Sequence, residues 1–486
     1  MNRRTITFQC AVAAWLSLSV GLGMNQSFAQ ERRAPISDDE IEVLTRGPVH
    51  EAFAETVVFD PEPGLIIQKT PPAPIEELPP EYKPEGDEIS WIPGYWAWDD
   101  DRDDFLWVSG IWRALPPNRQ WVPGYWARSG RGVQWTSGYW ADANLEEIEY
   151  LPEPPATVEA GPNTPAPADD HTWMPGCWIW QQNRYAWRPG YWAPGQADWN
   201  WVPARYVWTP RGYVYVDGYY DYNVDRRGVL YAPVYFRSNV YTQHGYSYSP
   251  VTVINPSVFM NHLFLRPNYG HYYFGDYYSA TYATRGFTPW FSYHTTYSGY
   301  DPFYAQQRWQ HRADQQWSQH LQSEYSRRFD NEQARPPRTW KSQRERLSTD
   351  TADVDNSFRV GATLEELIQG KSLSRRVQPL APEARQQIGR RGQEIRTANE
   401  LRQQLESEAT ERRVAPPGQP SAPIRVRLPR TTIVGLPIDK LEPGRGPPKV
   451  IDVPRPDPRI EPKPRPPRGG RGNEGRGGGG GGDDRS

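Results

Sequence analysis

An aromatic residue, two variable positions, a glycine, one further position and a second aromatic recur nine times, and this repeat constrains the fold more than any other feature of the chain. Six copies are clear: WIPGYW at Trp91, WVSGIW at Trp107, WVPGYW at Trp121, WTSGYW at Trp135, WMPGCW at Trp173 and WRPGYW at Trp187. WVPARY at Trp201, YVDGYY at Tyr215 and YAPVYF at Tyr231 are degenerate. Starts are mostly 14 residues apart, with a 16-residue step at each end and one break of 38 after the fourth copy. Self-similarity at a fixed period reads as stacked units that cannot bury their apolar faces alone.

Position three is Pro in six of nine copies, and position four is Gly in seven: Gly94, Gly110, Gly124, Gly138, Gly176, Gly190 and Gly218. Pro presets φ for the second residue of a turn, and Gly supplies the positive φ that a type II turn requires at its third, so "VPGY" is expected to be a turn. Usually eight residues separate the closing aromatic of one copy from the opening aromatic of the next. A hairpin centred between Gly130 and Arg131, of type II′ if Gly130 leads the tip, sets Trp126 across from Trp135. The same register sets Trp178 against Trp187, Trp192 against Trp201, and Tyr206 against Tyr215, while "DDDRDD" lengthens the loop between Trp96 and Trp107. Facing aromatics contribute roughly 0.5–1.5 kcal/mol per pair beyond burial. The expected fold is mainly β: tandem short antiparallel hairpins with a period of about 14 residues, then helical segments and a disordered Pro/Gly/Arg-rich tail. Their curvature, as meander, solenoid or curled sheet, is left open.

These motifs resemble the WXXGXW (YXWGXW-type) repeats of exported bacterial proteins. The resemblance is carried by Trp91, Trp96, Trp107, Trp112, Trp121, Trp126, Trp135, Trp140, Trp173, Trp178, Trp187, Trp192 and Trp201 with the seven glycines, and it implies no activity.

The repeat divides the chain. Residues 1–29 read as a signal peptide: a basic start, the apolar run "AVAAWLSLSVGLG" and a small-x-small site at Ser27-Phe28-Ala29. That run is shorter than the ~20 residues a membrane span needs, and no transmembrane span is expected in the mature chain. Residues 30–88 read as an acidic, Pro-rich disordered segment, 89–142 as the first array, 143–170 as a Pro-rich linker and 171–237 as the second array. A Tyr-rich irregular region follows at 238–300, packed on the second array or loosely coiled; residues 206–304 hold 21 of the 29 Tyr. Asp301-Pro302 opens an amphipathic helix, 301–332, whose stripe Trp309, Ala313, Trp317, Leu321, Tyr325 and Phe329 recurs every four residues. Residues 333–413 hold a linker and charged helices, with a capping box from Thr363 to Glu366 and a helix from about Pro382 to Arg413 carrying Ile388, Ile395, Leu401 and Leu405. Residues 414–486 form the disordered tail.

Removal of Cys10 with the signal leaves Cys177 alone, so stability rests on packing and not on disulfides. No HExxH, paired CxxC, nucleotide-binding Gly loop or Gly-x-Ser-x-Gly elbow occurs. His244, His262, His271 and His294 match no metal-site spacing, and Asp99, Asp101 and Asp103 read as a solvated hairpin tip. Catalytic, cofactor and metal sites are accordingly expected to be none. Residues 31–104 hold 20 acidic and 6 basic side chains, and 305–486 hold 24 and 34; the simpler reading is that both ends are solvated, and the other is that they attract each other or bind different partners. Nucleic acid is not expected, because the chain is exported and not basic overall. The expectation is a non-enzymatic structural or interaction protein of the cell envelope, periplasmic, outer-envelope or extracellular, meeting envelope proteins or polysaccharide. The alternative is carbohydrate binding through exposed Trp and Tyr faces, and the two differ in whether those faces are buried. Oligomeric state is not encoded legibly.

Overall fold

Copies of the repeat fold in pairs. In the computed structural model the first copy supplies β1 (Ile89–Ile92) and β2 (Tyr95–Asp99), and the second supplies β3 (Asp104–Val108) and β4 (Ile111–Ala114). β2 pairs antiparallel with β3 and β1 with β4, so two copies make one long two-stranded ribbon with a bend at its middle. The second ribbon is β5 (Arg119–Val122), β6 (Tyr125–Ser129), β7 (Gly132–Thr136) and β8 (Tyr139–Asp142). The third is β9 (His171–Met174), β10 (Cys177–Gln181), β11 (Arg184–Arg188) and β12 (Tyr191–Pro194), and the fourth β13 (Trp199–Val202), β14 (Arg205–Thr209), β15 (Gly212–Val216) and β16 (Tyr219–Tyr222). The ninth copy has no partner copy. Its strands β17 (Gly228–Leu230) and β18 (Val234–Phe236) pair with β4 and β3 and widen the first ribbon to three strands.

The described residues are 40–130, 132–297, 299–349, 356–407, 423–427, 431–441 and 446–450. The signal segment 1–29, the tip residue Arg131 and most of the 414–486 tail lie outside them.

Within a ribbon the expected registers hold: Trp96 faces Trp107, Trp126 faces Trp135, Trp178 faces Trp187, and Tyr206 faces Tyr215. Trp192 does not face Trp201. Trp192 pairs with Trp173 and Trp201 with Tyr220, because the spacer "APGQADWN" crosses between two ribbons instead of turning a hairpin. The "VPGY" segments are likewise not chain-reversing turns. Strands on both sides of each Pro-Gly continue along the same partner copy, and none of the seven repeat glycines has a positive φ. Nor has Gly130, so the expected type II′ tip is not formed as drawn; the positive φ falls at Gly132 (146°).

Close approach is what requires glycine. In the first three ribbons the two copies each bring a glycine to the bend and each opening Trp lies over the glycine of the other copy, while in the fourth Gly218 meets Trp201 and Ala204. A Cβ on Gly124 would stand 2.5 Å from the Trp135 ring and 2.8 Å from the Gly138 nitrogen, and one on Gly138 2.6 Å from the Trp121 ring. Gly94 and Gly110 stand in the same relation to Trp107 and Trp91, Gly176 to Trp187, Gly190 to Trp173 and Gly218 to Trp201. The opening Trp also pairs with the closing aromatic of the partner copy, edge to face at 5.3 Å for Trp91 and Trp112. Reciprocity explains the degenerate copies: the one bend with Ala, at Ala204, belongs to the ribbon whose other copy opens with Tyr215 and not with Trp.

Residues 40–88 depart from the expected disordered segment. Val49, Ala52, Phe53, Val57 and Ile75 are buried in the main cores, and Ile41–Val43 pairs with β18. The Tyr-rich region is also built. β19 (Leu263–Arg266) and β20 (His271–Phe274) form a sheet with Gly47–Pro48 and Thr288–Pro289, and its rings pack beside the first two ribbons. The 143–170 linker contributes a strand, Glu147–Leu151, which pairs with β15 and with Ile424–Arg427 of the expected tail. Tail residue Ile433 is also buried, and its carbonyl accepts from the Trp121 nitrogen.

The single helix expected over 301–332 is two, α1 (Pro302–Gln310) and α2 (Trp317–Asp330), broken where the Asp314 side chain accepts from the Gln316 nitrogen. Asp301 caps α1 as expected, and Trp317 packs on Trp290 and Tyr304. Ala313, in the gap, is exposed. Then come α3 (Trp340–Thr349), α4 (Leu364–Gln369), which has the Thr363–Glu366 capping box, and α5 (Pro382–Ser407). α5 lies along the bends of the first two ribbons: Gly392 sits by Pro93, and Arg402 donates to the Pro123 carbonyl at 2.7 Å. Ile395 is buried, whereas Leu401 is exposed.

Candidate functional site

A bend leaves backbone donors without a ladder partner, and a buried N–H must find an acceptor. Carboxylates supply it in all four ribbons. In the first, Glu77 accepts from the Gly94 nitrogen at 2.6 Å, from Gly110 at 2.9 Å and from Trp107 Nε1 at 3.2 Å. In the second, Glu51 accepts from Trp135 Nε1 at 2.9 Å and from Gly138 at 3.0 Å. Glu159 does the same in the third, from Trp173 Nε1 at 3.0 Å and Gly176 at 2.6 Å. The fourth uses its own Asp217, which accepts from Gly218 at 2.9 Å and from the Tyr215 hydroxyl at 3.0 Å. Glu51, Glu77 and Glu159 come from the segments read as disordered or linker, and none was singled out by sequence reasoning.

Burial pushes Glu51 up to about 8 and Glu77 up to about 7, against hydrogen bonds from the bend that favour the charged form. Beside Glu51 lie two neutral histidines. His271 Nδ1 donates to the Tyr269 carbonyl at 2.8 Å, so its Nε2 accepts from the Tyr95 hydroxyl at 2.8 Å. His50 Nε2 donates to the Pro93 carbonyl at 3.1 Å, and its Nδ1 accepts from the Ala52 nitrogen. Burial lowers His50 to about 3 and His271 to about 4. Of the remaining histidines, His262 is buried between the Tyr278 hydroxyl and the Ser357 carbonyl, His294 stacks on Tyr304, and His244 is exposed. The four do not converge.

Charged pairs bind the two arrays into one body. Arg113 of β4 meets Asp221 of β16 through two bonds of 2.7 and 2.6 Å, and Arg227 joins the same carboxylate at 3.0 Å. Glu55 accepts from Arg205 of β14 at 2.6 Å and from the Trp140 nitrogen of β8 at 3.0 Å. At the far end of α5 a buried pair, Arg402 and Glu406 at 2.9 Å, is met by the Tyr150 hydroxyl at 2.9 Å. The "DDDRDD" loop is a solvated tip only in part: Asp101, Arg102 and Asp103 are exposed, but the loop is pinned by ion pairs. Asp101 is engaged by Arg46, by Arg285 at 2.6 Å and by the Tyr282 hydroxyl at 2.5 Å, and Asp99 is buried.

Exposure divides the repeat aromatics. Trp91, Trp96, Trp107, Trp112, Trp121, Trp135, Trp140, Trp178 and Trp201 are buried, while Trp126 is half-buried against Phe105, Trp135 and Tyr269. Trp173, Trp187 and Trp192 of the third ribbon are also half-buried, so that ribbon has three such repeat indoles where the first has none and the second one. Trp173 and Trp192 line a cleft of about 770 Å³ whose other walls are residues 159–169 and α1. Cys177, packed in a cluster with Trp178 and Tyr206, is buried and its thiol is pushed up to about 12. Among the described residues no helix is long and apolar enough to cross a membrane.

A family model for the WXXGXW repeat, which spans two copies, matches residues 91–113, 169–193, 197–219 and 211–223. The first three segments coincide with the first, third and fourth ribbons, each a pair of copies, and the fourth segment covers the copy at Tyr215 again. No curated protein and no solved structure matches the chain. The matches to the WXXGXW repeat all fall within residues 91–223.

Proposed function

We propose that the protein is an exported, non-catalytic scaffold of the bacterial cell envelope whose surface engages other envelope proteins. The supporting observation is where its polar chemistry goes. Glu51, Glu77, Glu159 and Asp217 are each occupied by bend donors, and Glu55, Asp101 and Asp221 by arginines. The first two ribbons turn their indoles inward, which is the arrangement of a folding device. The basic run at residues 3–4 followed by an apolar stretch supports export.

The test combines fractionation of cells making the full chain with mass determination of its N-terminus and photo-crosslinking in the envelope. A chain starting at Gln30 in the envelope fraction, crosslinked to discrete protein partners, is the expected outcome. An unprocessed cytoplasmic chain overturns export, and a mature chain that forms no protein crosslinks overturns the scaffold role.

A further inference from the structure

The third ribbon turns to solvent what the first two bury. Trp91 with Trp112 and Trp121 with Trp140 are 1–3 % exposed, whereas the equivalent pair Trp173 and Trp192 is only half-buried and lines the cleft of about 770 Å³. That volume falls within the roughly 300–1,000 Å³ of small-ligand sites. Both indole N–H groups are already tied down, Trp173 to Glu159 at 3.0 Å and Trp192 to the Thr164 carbonyl at 2.9 Å. The rings are therefore fixed in place, 5.4 Å apart at 69°, and offer faces instead of donors. Rigid aromatic faces lose little entropy when a flat ligand stacks on them.

The opposite wall supplies charge. Among the described residues neither Arg308 on α1 nor Arg312 makes a salt bridge, and Arg312 rests on the Trp309 ring, at 4.7 Å, and donates to the Trp309 carbonyl, at 3.0 Å. Of the carboxylates lining the cleft, Glu159 is engaged at its bend and Asp301 is buried capping α1, which leaves Asp169 as the exposed one. We propose that this cleft binds a carboxylated oligosaccharide of the uronic-acid type, with its sugar rings on Trp192 and Trp173 and a carboxylate between Arg308 and Arg312. Guanidinium forks match carboxylates, and pyranose rings match indole faces. This goes beyond the scaffold role and stands or falls without it.

The test is titration of the full chain, followed by tryptophan fluorescence and calorimetry, with trigalacturonate, maltotriose and hexaglutamate. Saturable binding of trigalacturonate is expected, with maltotriose weaker and hexaglutamate weaker still. Arg308→Gln should weaken trigalacturonate binding about fivefold, since an exposed charge-assisted contact is screened, and raised salt should do the same to the parent. Trp192→Ala should weaken all sugar binding by about tenfold or more. Arg308 is exposed on its helix, so its variant remains informative if Trp192→Ala fails to fold. No saturable binding of trigalacturonate, equal binding of hexaglutamate, or an Arg308→Gln variant with parental affinity would each overturn the proposal.

Discussion

Glu77→Ala isolates the bend. The substitution removes the acceptor for the half-buried Gly94 nitrogen and for two buried donors, the Gly110 nitrogen and Trp107 Nε1. A buried donor left unmatched costs about 1–3 kcal/mol. Two effects reduce the sum of three. Water can enter the space left by the carboxyl, and the variant is relieved of a group whose burial raises its pKa to about 7. We expect a net loss of about 3–5 kcal/mol at pH 6. Unfolding entropy of about 2.1 cal/mol/K per residue, taken over a body of this size, makes that a fall of roughly 4–6 °C in Tm. Urea unfolding followed by near-ultraviolet circular dichroism is the assay, because the facing indoles Trp96 and Trp107 flank this bend. Glu77→Gln keeps an acceptor oxygen but turns an amide donor toward the second glycine, so it should fall between Ala and the parent. A Glu77→Ala midpoint within 0.5 kcal/mol of the parent at unchanged slope would refute the carboxylate's role, estimated from the same per-bond cost.

Stability should fall gently as pH rises from about 4.5 to 6.5, where buried Asp301, raised to about 7, tips the balance, and decline more steeply above that window and, toward acid, below it. Glu51 and Glu77 have raised folded pKa values, so the folded state holds protons the unfolded state has released, and stability falls as pH climbs from the ordinary carboxyl value toward 7–8. His50 and His271 are lowered, so the unfolded state binds the extra protons and stability falls as pH drops from 6.5 toward 3–4. In the overlap the two pairs oppose each other; urea midpoints across pH check this, and a curve rising steadily from pH 5 to 9 contradicts it. Gly124→Ala should cost about 3 kcal/mol or abolish folding, because its Cβ lands 2.5 Å from the Trp135 ring, whereas Gly130→Ala meets nothing within 4 Å and should be silent in thermal melts. Arg402→Met should cost about 3–5 kcal/mol by stranding Glu406, and adding Glu406→Leu should recover part of the loss. A double variant worse than the single would show that the ion pair itself carries the stability.

The hairpin registers were legible because side chains alternate strictly along a strand and the eight-residue spacers are symmetric about their centres. That same symmetry misled at Trp192 and Trp201. A spacer of eight residues fits a hairpin tip and a crossover equally, and only pairing with a sequence-distant strand decides between them. The bends were legible as special positions, but for the wrong reason: Pro-Gly reads locally as a turn, while the demand on Gly124 or Gly176 comes from a Trp ring of another copy. Glu51, Glu77 and Glu159 were illegible. Their partners are backbone N–H groups, which every residue carries, so an isolated Glu in a Pro-rich stretch looks solvated. The arginines that clamp Asp101 lie 55 and 184 positions away along the chain, beyond any local pattern.

Reciprocal capping sets an arithmetic for the chain. A copy covers its partner's glycine and is covered in return, so the sequence can lengthen or shorten only by pairs without leaving a half-made bend. Nine copies break that parity, and the odd one is absorbed as the strands Gly228–Leu230 and Val234–Phe236 along the first ribbon. A chain ending at residue 227 would have an even number of copies yet a bare edge on its first ribbon. In such a protein the vacant lane is open to residues 228–236 of a neighbouring full-length molecule, which makes the presence of the odd copy a control on whether the fold closes on itself or on another chain.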